Sequence, residues 1–493
     1  QKDFQKSKKS SSSLILALVL FARAFILIKI KQVVSSKLNL ALFMKVFIFS
    51  LNLVLFFSCY AQNSYMPKTL DMRERSVIID RWLKERIATV LPNLMEKSGI
   101  DMWLIIAREY NEDPILKTML PSTWQSARRT TILVIYNPGN KRPLETMAMS
   151  RYAVGTLFTK VWDKETQPDQ WKALANLIKE KNPKKIGINK SVAFGHADGL
   201  SATHYDMLTS SLEDKYVKRL TSAELLGIGW LETRTESEMI VYPSIVRMAH
   251  QIIAEGLSEK VIQPGITTTD DVVWWYRDKI RSAGYTAWFH PSVSIQRKDE
   301  ASSEHLRSFS VRPEDEVILL GDLLHVDFGI TYLRLNTDTQ QHAYVLKPGE
   351  TKPPEFLINA FAQGNQVQDI FLNNFKTGKT GNEILRKSLA EARDIGLKPT
   401  IYTHPIGYHG HGAGPTIGMW DQQGGVPITG DYPLYPQTAY SIELNNSTFI
   451  KEWNKEIRIM LEEDAYFDGN TVRYIDGRQT KLMTIPRTLL PNN

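Results

Sequence analysis

The sequence predicts a mixed helix-and-strand protein of more than one domain, and three observations carry that reading. Helix-like and strand-like runs alternate from about Leu70 to Leu220. Two amphipathic helical stretches follow a glycine-containing junction, and beyond them apolar strands carry acidic residues where strands ordinarily carry few. A chain of 493 residues with 43% hydrophobic content has ample material for two or three cores.

Met44 opens MKVFIFSLNLVLFFSCYAQ: one Lys, an apolar run from Val46 to Phe57, then small residues at Cys59 and Ala61 suited to cleavage before Gln62. Export to the periplasm or medium is therefore expected, with no stable membrane anchor after cleavage. Residues 1–43 hold another apolar run, Leu14 to Ile28, interrupted by Arg23, and are expected to lie upstream of the true start. Cys59 could serve a lipid anchor, but Phe56 and Phe57 make a poor signal for one, so simple cleavage is expected. The mature chain then has no cysteine, which excludes disulfides, thiolate ligands and cysteine nucleophiles. The formal charge of +7 also belongs to the leader: residues 1–61 hold nine Lys/Arg against Asp3, which leaves −1 for the rest. No nucleic-acid partner is expected.

Residues 72–97 carry Ile78, Ile79, Trp82, Leu83, Ile87, Val90, Leu91 and Leu94 at helical spacing, with Pro92 expected to kink or break the last turns. Met102 to Ala107 and Thr131 to Tyr136 read as buried strands, Gln170 to Lys179 as a helix, Lys185 to Ile188 as a short strand. His196 and His204 stand in loop-like sequence as isolated surface residues. LTSAELLGIGW reads as the junction between domains, placed at 62–228 and 229–493. Glu236 to Val261 and Thr269 to Ala283 are amphipathic helices, with Thr268 or Thr269 as N-cap before an acidic first turn.

The chemistry concentrates beyond that point. In LLHVDFGITYLRLNTDT, Asp327 and Asp338 stand eleven residues apart. Leu323 to Val326 and Tyr332 to Leu335 read as half-buried strands of a hairpin, with Gly329 near its turn. Burying two carboxylates without a cation costs several kcal/mol, so a divalent metal is the natural partner. YTHPIGYHGHGAGPTIG places His404, His409 and His411 among five glycines, a pattern of metal or substrate contact rather than core packing. Glu443 lies between apolar Ile442 and Leu444, and Glu462/Glu463 end the run IRIMLEED.

This order of Asp327, Asp338, His404, Glu443 and Glu463, with His411 seven residues after His404, resembles the pita-bread metallopeptidases: aminopeptidase P, prolidase and methionine aminopeptidase. The resemblance covers roughly residues 230–490. Residues 70–225 resemble the extra N-terminal domain of the proline-directed branch, so the implied fold class is α+β: a curved antiparallel sheet with outer helices in two related halves, behind an α/β domain. On this resemblance Asp327 holds one metal, Asp338 and Glu463 bridge two, and His404 and Glu443 each bind one. Glu463 is chosen over Glu462 because Asp464 follows it. A water or hydroxide between the metals is the implied nucleophile, Glu443 relays its proton, and His411 donates to the developing oxyanion. A further substrate-side histidine is His305 or His290, with His305 favoured because it follows the apolar Val293 to Ile295.

The chain departs from the family pattern at Pro405, where Gly follows the metal-binding His, at Gly412, where an acid follows the second His, and at Gln340 and Gln341, where Arg is usual. The implied activity is that of an exported Xaa-Pro aminopeptidase acting on peptides with two divalent ions, manganese first, cobalt or zinc as alternatives. Prolidase is the rival; a non-catalytic binding module is the alternative of another class. A creatinase-like enzyme would have lost the acidic ligands. A homodimer is the implied oligomer.

Overall fold

The computed structural model describes residues 69–298 and 316–487. The leader, with its cleavage site, and His305 lie outside the described residues. Among the described residues no helix is long and apolar enough to cross a membrane.

The first half centres on six strands, β1 (Met102–Arg108), β2 (Thr130–Tyr136), β3 (Glu145–Met149), β4 (Thr159–Lys160), β5 (Ile186–Ile188) and β6 (Leu220–Ser222), in the order β4-β3-β2-β1-β5-β6. The run MWLIIA of β1 is apolar throughout because both faces are covered. Met102, Leu104 and Ile106 enter one core, and Trp103, Ile105 and Ala107 the other. The predicted N-terminal helix forms as two, Met72–Thr89 and Leu91–Ser98, and Pro92 sits in the first turn of the second, where its missing N–H costs nothing. Trp82 from the first of these packs into the core of the second half, whereas Leu83 joins the core beneath β1.

Within LTSAELLGIGW, read above as the junction, Glu224–Glu232 is a helix whose residues 226 to 232 are all buried. Its glycines permit close packing. A Cβ on Gly229 would lie 2.6 Å from Leu94 Cδ2, and one on Gly227 2.6 Å from Ile115 Cδ1.

The second half repeats a pattern of two helices followed by antiparallel strands. Helices Glu236–Gly256 and Thr269–Ser282, the latter capped by Thr268 with Asp271, precede β7 (Ser292–Gln296), β8 (Leu323–Phe328), β9 (Thr331–Tyr332), β10 (Leu335–Asn336) and β11 (Thr339–Val345). Helices Glu355–Leu372 and Gly381–Asp394 precede β12 (Pro399–Ile401), β13 (His404–Pro405), β14 (Thr438–Ser441), β15 (Leu444–Ile450), β16 (Lys455–Leu461), β17 (Asp464–Phe467) and β18 (Val472–Tyr474). The closing β19 (Met483–Ile485) returns to pair with β11 in the sheet β19-β11-β8-β7. The remaining strands form the sheets β12-β15-β16 and β13-β14-β17-β18. Strand pairs in these three sheets are antiparallel except β11 with β19. This is the α+β arrangement of curved sheet and outer helices expected above.

The Asp327–Asp338 hairpin differs in detail from the expectation. β8 pairs not with Tyr332 to Leu335 but with β11, in the register Asp327↔Gln340. The intervening residues form a small hairpin of β9 and β10 that turns at Leu333 and Arg334, both at positive φ (53° and 67°). Gly329 is needed for space, not for the turn: a Cβ there would lie 2.4 Å from Trp288 Nε1 and 2.5 Å from the Thr337 carbonyl.

A buried charge cluster joins the two halves. Glu238 completes the capping box of Thr235 and pairs with Arg86 Nη1 at 3.1 Å and Arg234 Nη1 at 3.7 Å, all three side chains fully buried. Tyr408, from the glycine-rich loop, donates its hydroxyl to Glu238 at 2.8 Å. The two cations hold the Glu238 carboxyl below its usual range although burial acts the other way.

Candidate metal centre

The cluster assembles where strands end or change sheet. Asp327 is near the end of β8 and Asp338 just precedes β11. His404 opens β13, Glu443 fills the gap between β14 and β15, and Glu462 and Glu463 fill the gap between β16 and β17. At the last two gaps the chain leaves one sheet for its neighbour, which brings side chains from both sheets to one place.

Ligand-type atoms of Asp327, Asp338 and Glu462 lie within 4.8 Å of one another, as do those of His404, Glu443 and Glu462, and those of Asp338, His404 and His411. Asp327, Asp338, His404 and Glu443, all named from the sequence, thus come together. The expectation for Glu463 is corrected: Glu462 completes the cluster. Glu462 accepts from Ser441 Oγ and Gln340 Nε2, each at 2.7 Å, and its Oε1 stands 3.5 Å from His404 Nε2. Glu463 faces the other way, accepting from His250 Nε2 at 2.7 Å, Gln341 Nε2 at 3.0 Å and the Gln479 N–H at 2.9 Å.

The cause is register. An isolated backbone bridge pairs Gln340 with Glu462, their N–H groups bonded to each other's carbonyls at 2.9 and 3.3 Å. Paired residues share a face, so Asp327, Gln340 and Glu462 form one row, and Gln341 and Glu463 fall on the opposite side.

The donor set fits divalent metal ions. Among the described residues, the buried Asp338 Oδ1 and His404 Nε2 have no hydrogen-bond partner. His404 Nδ1 lies 3.0 Å from the Pro405 carbonyl, which can only accept, so Nδ1 carries a proton and Nε2 is the atom aimed at the carboxylates. Burial, reinforced by the charge of Glu462, pushes the Asp338 and Glu443 carboxyls well above their ordinary range. Burial also acts to lower the pKa of His404, but Glu462 and Glu443 raise it above its usual value. Four carboxyl groups converge here with one imidazole among them, a concentration of negative charge that oxygen-seeking cations relieve.

His411 stands beside the cluster with its ring 4.7 Å from His404, 5.3 Å from Trp288 and 6.2 Å from Tyr402. Burial and the neighbouring His404 push its pKa down to about 4, so it is neutral at pH 7. His290 sits elsewhere, its Nδ1 3.0 Å from Arg277 Nη1 and its ring edge-on to Trp274. His409 is not in the cluster; its ring lies 4.3 Å from that of His196. The reading of His196 and His204 as isolated surface residues is corrected by that contact and by the burial of His204 against Trp171. Sequence reasoning also missed Trp288, Tyr402, His325 and the His250–Asp476 pair behind Glu463. Single aromatic and imidazole residues in apolar runs carry no signal of convergence.

Residues 244–467 match the profile of a family described as metallopeptidase family M24. No curated protein matches the chain. Among solved structures it is similar to an X-Pro aminopeptidase from Thermotoga maritima MSB8, at 17% identity and a TM-score of 0.57 over 80% of this chain and 99% of that one. It is also similar to an Xaa-Pro dipeptidase from Bacillus anthracis, at 19% identity and a TM-score of 0.54 over 82% of this chain and 99% of that one. A prolidase from Pyrococcus horikoshii OT3 matches at 16% identity and a TM-score of 0.52 over 82% of this chain and 100% of that one. At these identities the structural likeness speaks to the fold.

Proposed function

We propose, from the match of residues 244–467 to metallopeptidase family M24, that the protein is an Xaa-Pro aminopeptidase, releasing an N-terminal residue from peptides whose second residue is proline. The observation that carries the reading is the convergence of Asp327, Asp338, His404, Glu443 and Glu462, with His411 alongside. Asp327, Asp338 and Glu462 would hold one ion, and His404, Glu443 and Glu462 the other, with Glu462 common to both groups. Two divalent ions bound there supply Lewis acidity and lower the pKa of an attacking water. Manganese is the first candidate, then cobalt or zinc, for a site of carboxylate oxygens and one imidazole.

The chain's own groups do the rest. His411, a neutral imidazole beside the cluster, donates its N–H to the carbonyl oxygen as negative charge develops. Glu443 takes the proton from the attacking water and passes it to the departing proline nitrogen. The rings of Trp288 and Tyr402 lie on the approach to His411, 5.3 and 6.2 Å from its imidazole.

The test is cleavage of Xaa-Pro-Yaa tripeptides against Xaa-Pro dipeptides, with and without chelator. The aminopeptidase reading expects chelator-sensitive release of Xaa from the tripeptide. Cleavage confined to dipeptides would make the protein a prolidase, a reading that the likeness to the Bacillus anthracis dipeptidase also supports. No chelator-sensitive cleavage of either would leave a binding module. Export is part of the proposal and rests on the leader MKVFIFSLNLVLFFSCYAQ, so the N-terminus of the mature protein is expected at Gln62.

A further inference from the structure

We infer that Gln340 is a positioning residue for the metal centre: one side-chain amide that sets the distance between Glu443 and Glu462 and is itself oriented by His325. The inference rests on the proposed metal site. Gln340 Nε2 lies 2.9 Å from Glu443 Oε1 and 2.7 Å from Glu462 Oε2, and Gln340 Oε1 lies 2.9 Å from His325 Nε2.

The contacts assign their own direction. Carboxylate oxygens accept, so the NH₂ end of the amide faces Glu443 and Glu462 and spends one hydrogen on each. The carbonyl end then needs a donor, and His325 supplies it. His325 is itself buried on β8, with Ser294 Oγ 3.4 Å from Nδ1 and the His342 ring 5.1 Å away. His342 is locked in turn: Nδ1 donates to the Leu324 carbonyl at 3.0 Å and Nε2 accepts from the Met460 N–H at 3.0 Å. The amide is therefore held from behind by His325 on β8, whose ring lies against that of His342 on β11, itself fixed by the backbone of β8 and β16.

Two features make the residue more than packing. Glu443 and Glu462 come from different strand gaps, and Gln340 is a side chain that hydrogen-bonds both. Its backbone also makes the bridge to Glu462, in the gap between β16 and β17. A guanidinium at this point could donate to the same oxygens, but it would add a positive charge beside two divalent cations. Asp327, Asp338, Glu443 and Glu462 already balance two such ions, so a neutral double donor orients the carboxylates without competing for them.

The experiment titrates Mn²⁺, and separately Co²⁺, into the chelator-treated full chain and into Gln340→Met, His325→Leu and the double variant, by calorimetry and by the visible absorption of bound Co²⁺. Gln340→Met is expected to weaken at least one of the two binding steps by about 10- to 100-fold and to change the Co²⁺ spectrum. His325→Leu is expected to act in the same direction and less. The double variant is expected to be no worse than Gln340→Met alone, because His325 acts through the amide. Thermal unfolding of the metal-free variants shows whether they fold.

Binding constants and spectra of Gln340→Met within threefold of the parent would overturn the inference. So would a Gln340→Met protein that does not fold, or full additivity in the double variant, since either assigns the residue to holding the strands. A parent chain that binds neither ion is a different result: it sinks the metal reading itself.

Discussion

Exchanging Glu462 and Glu463 separately for glutamine tests the assignment of the two neighbours to opposite faces. Glu463 pairs with His250, whose other nitrogen lies 3.2 Å from Asp476, and the His250 side chain is only 17% exposed. Burial would strip the proton from this imidazole, but Glu463 and Asp476 more than reverse that and hold its pKa up at about 10, against 6.5 in an unfolded chain. At ~1.4 kcal/mol per pH unit, the protonated pair and its partners are worth about 5 kcal/mol. The folded pKa is the raised one, so that stability is fully present below pH 6.5 and is lost as pH rises through 10. Glu463→Gln keeps the acceptor for Gln341 and Gln479 and removes one of the two anions facing His250. The expected cost is therefore about 2–4 kcal/mol at pH 5.5 and under about 1 kcal/mol at pH 9.5.

Glu462→Gln should behave in the opposite way. Its carboxylate helps push Asp338 and Glu443 upward, so the metal-free protein should be no less stable without it, while metal binding collapses. The assay is urea unfolding in chelator at pH 5.5 and 9.5, paired with Mn²⁺ titration of each variant. A pH-independent loss in Glu463→Gln, or normal Mn²⁺ binding by Glu462→Gln with none by Glu463→Gln, would refute the assignment.

Three further outcomes are expected. Glu232 is buried, which pushes its carboxyl up to about 8 despite the hydroxyl that Tyr432 donates to it; stability should fall by about 5 kcal/mol as pH rises from 4.5 to 8, and Glu232→Gln should flatten that slope in urea unfolding. Arg86→Met leaves Glu238 buried beside Arg234 alone and should cost about 3–5 kcal/mol by the same measurement. His411→Ala should lower kcat on an Xaa-Pro-Yaa peptide by about 10²- to 10³-fold while calorimetry still finds two Mn²⁺ per chain; loss of metal would make His411 a ligand instead.

The residue types and spacing of the site were legible in one dimension because its chemistry is costly elsewhere. Asp327, Asp338, Glu443 and a pair of glutamates sit in or beside apolar strand sequence, where an unneutralised carboxylate would be excluded. The apolar run of β1 and the break at Pro92 were legible for the same local reasons, steric and hydrophobic. Which strand pairs with β8 was not, because Tyr332 to Leu335 and Thr339 to Val345 both suit a pleated, buried surface, and only the turn at Leu333 and Arg334 selects between them.

Sequence alone thus determined that carboxylates and one imidazole would be drawn together, and that one of Glu462 and Glu463 would face them. Tertiary structure decided which one. Alternation along a strand puts neighbours on opposite faces but says nothing about which face meets the centre; the backbone bridge between Gln340 and Glu462 does, because residues paired across a bridge share a side. The same bridge gave Gln340 its place between two glutamates, a role that depends on contacts more than 100 residues apart in the chain.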